Sequence, residues 1–198
     1  MKSQRAELIA DTAIALLAER GMRGLTHRAV DEEAGLPAGS TSNLARTRRA
    51  LLELTLERLT ELEIGTFAAL LDDTAGPPSP EALVELAART LWEQLTVGRH
   101  RTLARYELAL EATRRPELRE VYDQAGSRFR APAVAILTAA GSPDPVRHGR
   151  QVVAFGEGVM FDTIAGSGSE PTLDDLRLGL AELLRGMLPG REPDMEEC

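Results

Sequence analysis

Apolar residues return at every third or fourth position through most of this chain, and the every-second-residue alternation of a half-buried strand is not found. A chain written this way has one general solution: a set of amphipathic helices that bury their stripes against one another. Leu8, Ile9, Ala13, Leu16 and Leu17 predict a first helix from about Arg5 to Arg20, ended by Gly21. Thr26 is placed to cap a short second helix, which turns Ala29, Val30 and Ala34 inward and stops at Gly35. A third short helix is expected over Ala38 to Ala45. Thr47 then caps a long fourth helix whose apolar surface comes from Leu51, Leu52, Leu54, Leu56, Leu59 and Leu62. Ala, Leu, Glu and Arg are abundant while aromatics make up only 4%, and these residues lose little side-chain freedom in a helix. With 198 residues and 43% apolar composition, the chain can bury a substantial core.

The strongest break is Ala75-Gly76-Pro77-Pro78-Ser79-Pro80, where prolines remove backbone donors and impose a linker or helix-helix turn. Further helices are predicted near 80 to 95, 99 to 112, 116 to 139 and 145 to 164. After the Gly166-Ser167-Gly168-Ser169 loop, Leu173 through Met187 close the ordered chain. The fold class is therefore all-α. The final stretch, 188–198, reads as a flexible acidic tail.

Charge is divided unevenly. Residues 1–49 hold eight Lys or Arg against six Asp or Glu, a net of +2; the rest hold 15 against 25, a net of −10. Binding a polyanion requires a positive patch rather than a positive protein, so an overall charge of −8 leaves nucleic acid open while disfavouring a broad nonspecific coat.

The positive patch coincides with an unusual polar helix. Ser40, Thr41, Ser42 and Asn43 are small enough to bring their backbone near base edges, and Arg46, Arg48 and Arg49 follow within reach of phosphates. Two short helices around Gly35 have the spacing of a helix-turn-helix, in which the second helix enters the major groove. By pattern alone, a solvated loop before a long helix remains an equal alternative.

The whole stretch "RAELIADTAIALLAERGMRGLTHRAVDEEAGLPAGSTSNLARTRRALLE" resembles the N-terminal DNA-binding domain of TetR-family transcriptional regulators. The resemblance implies a helix-turn-helix domain at 1–49 and a helical effector-binding and dimerisation domain at 50–187. It implies DNA contacts from Thr26, His27 and Arg28 near phosphate, from Gly39, Ser40, Thr41, Ser42 and Asn43 in the groove, and from Arg46 and Arg48 on the flanking backbone. Arg48 stands where many relatives have lysine. Three departures matter: Pro37 replaces a capping serine, Leu44 and Ala45 replace an aromatic pair, and Ser42 and Asn43 replace further aromatics. Losing a side-chain cap costs about 1 kcal/mol, partly offset by the preorganised φ of proline.

The resemblance also implies a homodimer on a palindromic double-stranded operator, released by a small organic effector. Trp92, Tyr106, Glu107, Phe129, Phe161 and Asp162 are the candidates to meet that effector, against the competing reading that they pack a core or face solvent. "ARYELALEATRRPELRE" resembles the ligand-domain segment of some TetR regulators. Two apolar stripes are candidates for the dimer interface: Val152, Phe155, Gly156 and Val159, and Leu176, Leu180, Leu183, Leu184 and Met187. Periodicity equally allows both stripes to close the core of one chain.

Catalysis and metal binding find little support. The histidines are His27, His100 and His148, and the one cysteine is the terminal Cys198, so no zinc-ligand spacing or internal disulfide exists. Asp31, Glu32 and Glu33 are consecutive and point around a helix rather than converging. Gly156-Glu157-Gly158 starts a dinucleotide-like motif, but Phe161 occupies its last glycine position. Asp11 and Glu19 interrupt the apolar run that follows Lys2 and Arg5, so a secretion signal is not expected either. The expectation is a cytoplasmic, nucleoid-associated regulator without cofactor, metal or membrane partner. The alternative is a helical ligand- or partner-binding protein that has lost operator recognition.

Overall fold

The computed structural model describes residues 4–72 and 79–188, with the side chain of Phe129 outside that description. Every regular element described is helical: α1 (Gln4–Gly24), α2 (His27–Glu33), α3 (Ser40–Leu44), α4 (Arg48–Asp72), α5 (Pro80–Leu95), α6 (Arg99–Ala112), α7 (Pro116–Ala139), α8 (Pro145–Ile164) and α9 (Leu173–Arg185). The all-α architecture, with a helix-turn-helix head ahead of a helical bundle, is the one that the periodicity implies. Among the described residues no helix is long and apolar enough to cross a membrane.

Local chemistry explains most boundaries. Thr26 accepts a hydrogen bond from Ala29 N at 3.0 Å and caps α2. Thr47 accepts from Ala50 N at 3.1 Å ahead of α4, and Ser79 accepts from Ala82 N at 3.1 Å ahead of α5. Asp144 caps α8, while Thr172 and Asp175 form a reciprocal capping box on α9. Gly21 sits at φ 64°, so the helical run past Arg20 contains a sharp break there. The rest of the proline-rich break, at 73–78, and the acidic tail beyond Leu188 lie outside the described residues.

Two compact units emerge: Met1–Ala68 with Glu93–Arg128, and Ala69–Trp92 with Phe129–Cys198. In the first, Ile9, Ile14, Leu16 and Leu17 of α1 share one core with Val30 of α2 and with Leu51, Leu52, Leu56 and Leu59 of α4. Ala104 and Leu108 of α6 and Leu118 of α7 enter that same core. The head thus has no private interior: its packing depends on α6. Each fully buried leucine here contributes on the order of 2 kcal/mol through removal of apolar area from water.

The second unit is organised around Leu83 of α5, Leu137 of α7, Leu184 of α9 and Met187 just after it. Glycines let its helices approach closely. A methyl group on Gly156 would lie 2.9 Å from Leu91 Cδ2, and one on Gly179 would lie 3.1 Å from the Phe155 ring. Arg177 of α9 adds a paired contact to Glu85 of α5, at 2.7 and 2.9 Å.

Candidate nucleic-acid interface

α3 has five residues, too few to stand in water without tertiary support. Its N-cap is Gly39 at φ 88°, a left-handed conformation that only glycine adopts cheaply, and no side chain of its own caps it. The missing cap comes from the neighbouring helix. Asp31, buried at the end of α2, accepts from Gly39 N at 2.7 Å, from Thr41 N at 2.8 Å and from Thr41 Oγ1 at 2.6 Å. One carboxylate thereby satisfies the orphan donors that Pro37 cannot reach. Burial pushes the Asp31 pKa up, but the hydrogen bonds from Thr41 and Gly39 outweigh it and hold the group below the ordinary aspartate value.

These bonds decide which polar residues face outward. Thr41 is fully buried and Ser40 nearly so; the Ser40 hydroxyl donates to Pro37 O and accepts from Arg5 Nη2 at 2.6 Å. Ser42, Asn43 and Leu44 are exposed. Of the polar quartet read from sequence, two residues therefore build the helix and two present it. Ala45 lies in the core with Leu25 and Val30, which accommodates its small side chain.

The basic residues divide likewise. Arg46 and Arg49 are exposed, and Arg49 pairs with Glu53 at 2.6 Å. Arg28 is exposed and pairs with Glu32 at 2.7 Å, within reach of solvent. Arg48 turns inward instead, with Nη1 donating to Leu25 O and Nη2 to Met22 O, both at 2.6 Å. His27 donates from Nε2 to Ala45 O at 2.7 Å, which ties the start of α2 to the end of α3. Thr26 is exposed beside it, its hydroxyl engaged as the α2 cap.

Sequence reasoning passed over Asp31 because it reads only as one of three consecutive acids that point around a helix rather than converging. It also passed over Arg5, which precedes the first predicted core residue. Neither carries a local signal, since their partners lie 10 and 35 residues away.

The expected effector residues are distributed over both units. Tyr106 and Glu107 belong to the first unit, where Tyr106 is buried and Glu107 accepts from Met22 N at 3.0 Å. Trp92, Phe161 and Asp162 belong to the second. There Trp92 is 37% and Phe161 49% exposed, more than a residue locked in a core. The Asp162 carboxylate lies over the turn after α8, so close that a methyl group on Gly168 would meet it at 2.2 Å. Phe129 is in α7, and its side chain lies outside the described residues.

Of the two stripes read as dimer candidates, Leu176, Leu180, Leu184 and Met187 are buried within this chain, and Gly156 is buried against Leu91. Val152, Phe155, Val159 and Leu183 are half-buried. Leu178, 66% exposed, lies on the outer side of α9 and was not among the residues expected. Among the described residues no group of His, Cys, Asp and Glu is arranged to hold a metal ion.

Comparison with known proteins places this geometry. The family described as "Tetracyclin repressor-like, C-terminal domain" matches residues 78–190. A TetR-family member from Streptomyces coelicolor A3 is similar over 95% of this chain and 100% of its own, at 29% identity and TM-score 0.73. The multidrug binding protein EbrR, in its proflavin complex, is 32% identical over 91% of this chain and 99% of its own, with TM-score 0.60. A TetR transcription regulator from Haloarcula marismortui shares the fold at 18% identity, covering 95% of this chain and 100% of its own with TM-score 0.79. No match was found among curated protein sequences. With a C-terminal family match over more than half its length and a helix-turn-helix head built on Asp31, the chain belongs to the TetR family and is a DNA-binding transcriptional regulator rather than an enzyme.

Proposed function

We propose that this regulator is a homodimeric repressor that occupies a palindromic operator and is released by a small organic effector. The observation that carries the reading is the outward pair Ser42 and Asn43 on a helix fixed from beneath by Asp31. An asparagine there can pair with an adenine edge, and the shorter serine lets the helix approach the groove. Thr26, Arg28 and Arg46 then serve the flanking phosphates, with Gly39 opening the helix at the groove and His27 and Arg48 holding the head in register. Ser40 and Thr41 contribute through the position they impose. Two heads related by a twofold axis would read half-sites separated by one helical turn, roughly 34–36 Å, or a multiple.

Dimerisation is assigned to the outer sides of α8 and α9, where Val152, Phe155, Val159 and Leu183 retain partial exposure and Leu178 stands in solvent. The buried Leu176, Leu180, Leu184, Met187 and Gly156 support that surface from inside. The effector reading draws support from EbrR, which has been solved with ethidium and with proflavin. Within the second unit, Trp92, Phe129, Phe161 and Asp162 are the aromatic and acidic groups suited to an organic ligand of that kind. Release requires the effector to bind the DNA-competent and DNA-incompetent states unequally.

Selection from a random DNA library at several salt concentrations tests the operator. The expected outcome is one enriched palindrome whose affinity falls steeply with salt. Unselective or absent binding would instead favour a partner-binding protein, a reading motivated by Pro37 and the Leu44-Ala45 replacement and weakened by the cap that Asp31 supplies. Operator affinity with and without a saturating organic ligand tests release, and unchanged affinity overturns it.

A further inference from the structure

We infer that Glu107, on α6, is a positioning residue for the recognition helix, acting through the backbone of Met22 and the guanidinium of Arg48. The inference rests on the reading that α3 meets the groove and adds how its placement is set. The starting point is Gly21. A continuous helix would bond Met22 N to a carbonyl one turn back; the φ of 64° at Gly21 breaks that ladder and leaves the donor to another partner. Glu107 Oε2 accepts it at 3.0 Å, and lies only 3.5 Å from where a methyl group on Gly21 would stand. The carbonyl of Met22 in turn accepts from Arg48 Nη2 at 2.6 Å.

Arg48 passes the constraint on. Its Nη1 holds Leu25 O at 2.6 Å, immediately before Thr26, the cap of α2. His27, the first residue of α2, reaches Ala45 O at 2.7 Å, and Ala45 terminates α3. From α6 to the end of the recognition helix the path is therefore four hydrogen bonds between named groups joined by short lengths of backbone, and three of the four involve Glu107 or Arg48. Removing the Glu107 acceptor leaves a part-buried donor unsatisfied at Met22 and frees the residue that anchors Arg48. The effect falls on where Ser42 and Asn43 stand, although Glu107 itself is remote in sequence from both.

The test compares Glu107→Met, which removes the acceptor at similar length, with Glu107→Gln, which keeps an acceptor oxygen. The intact DNA-free protein is followed by amide NMR at Met22, Ser42 and Asn43, and operator affinity is measured on the sequence that the wild-type protein selects. E107M is expected to shift all three amides and weaken operator binding about tenfold, whereas E107Q stays close to wild type. If E107M does not fold, Glu107→Asp withdraws the carboxylate by one methylene and is expected to produce the same shifts. Unmoved Ser42 and Asn43 amides in a variant whose Met22 amide has shifted overturn the inference, as does an E107Q defect equal to that of E107M. If the wild-type protein selects no DNA, the operator reading fails while the amide comparison still decides this one.

Discussion

α3 and α9 are both short helices, and they are held in opposite ways. α9 buries Leu176, Leu180 and Leu184 at helical spacing and closes its N-terminus with its own capping box. Its stability is spread over many weak contacts, each of which can be lost without losing the rest. α3 has no apolar stripe to bury: Ser40 and Thr41 face inward, and Ser42, Asn43 and Leu44 are exposed. It is held instead by one carboxylate from α2, an arginine from α1 and a histidine bond to its last turn. A reading helix can be polar and still ordered if its tethers are few, directional and buried. The consequence is concentration of risk at single residues.

Asp31→Ala puts that contrast under the greatest strain. It leaves the Thr41 amide and hydroxyl without their acceptor in a buried site, and a loss of about 4 kcal/mol is expected. Chemical denaturation followed at the head, with operator binding in parallel, should show both collapsing together. A loss under 1 kcal/mol would mean that α3 is held by distributed packing after all. Leu180→Ala in α9 is expected to cost about 3 kcal/mol by cavity formation, with the Thr41 amide still protected from exchange. Loss of that protection would show that the difference between the two helices is not local.

Acid weakens both regions, and salt separates them. The pKa of Asp31 is depressed on folding, so its contribution is complete above the unfolded value near 4 and is lost as pH falls through the lower folded value. Glu85 is depressed in the same direction, chiefly by the Arg177 hydrogen bond, so its contribution has the same sign. The Glu85–Arg177 pair is about 40% exposed and should weaken in about 1 M salt, while buried Asp31, held by neutral donors, should not. Hydrogen exchange at Thr41 and Arg177 across an acid titration, at low and high salt, checks this; equal salt sensitivity at both would break the distinction. The smallest effect is expected from Thr172→Ala, about 1 kcal/mol from one exposed cap, read by thermal unfolding with operator affinity unchanged.

Most of the secondary structure was legible from residue spacing. The helices expected near 80 to 95, 99 to 112, 116 to 139 and 145 to 164 match the observed bounds of α5 to α8. Spacing works there because each helix must turn one side inward, and because Gly and Pro terminate helices by local geometry. The interface was legible only in outline. Ser40 to Asn43 look equivalent in sequence, yet two face the interior and two face out, since their orientation depends on a carboxylate ten positions earlier. Arg48 looks like Arg46 and Arg49, but carbonyls at Met22 and Leu25 turn it inward. Glu107, read as an effector contact, accepts a hydrogen bond from the backbone of α1.

Sequence by itself determined that this chain is all-α, where α5 to α8 begin and end, and that its basic, polar end differs from its acidic body. Those are properties of neighbours within a turn or two, where spacing, caps and breakers act directly. Tertiary structure decided which of several similar residues support the reading helix and which present it, and joined the head to α6 through one interior. That assignment depends on donors and acceptors brought together from distant positions, and a buried polar group takes whichever partner the fold places within reach.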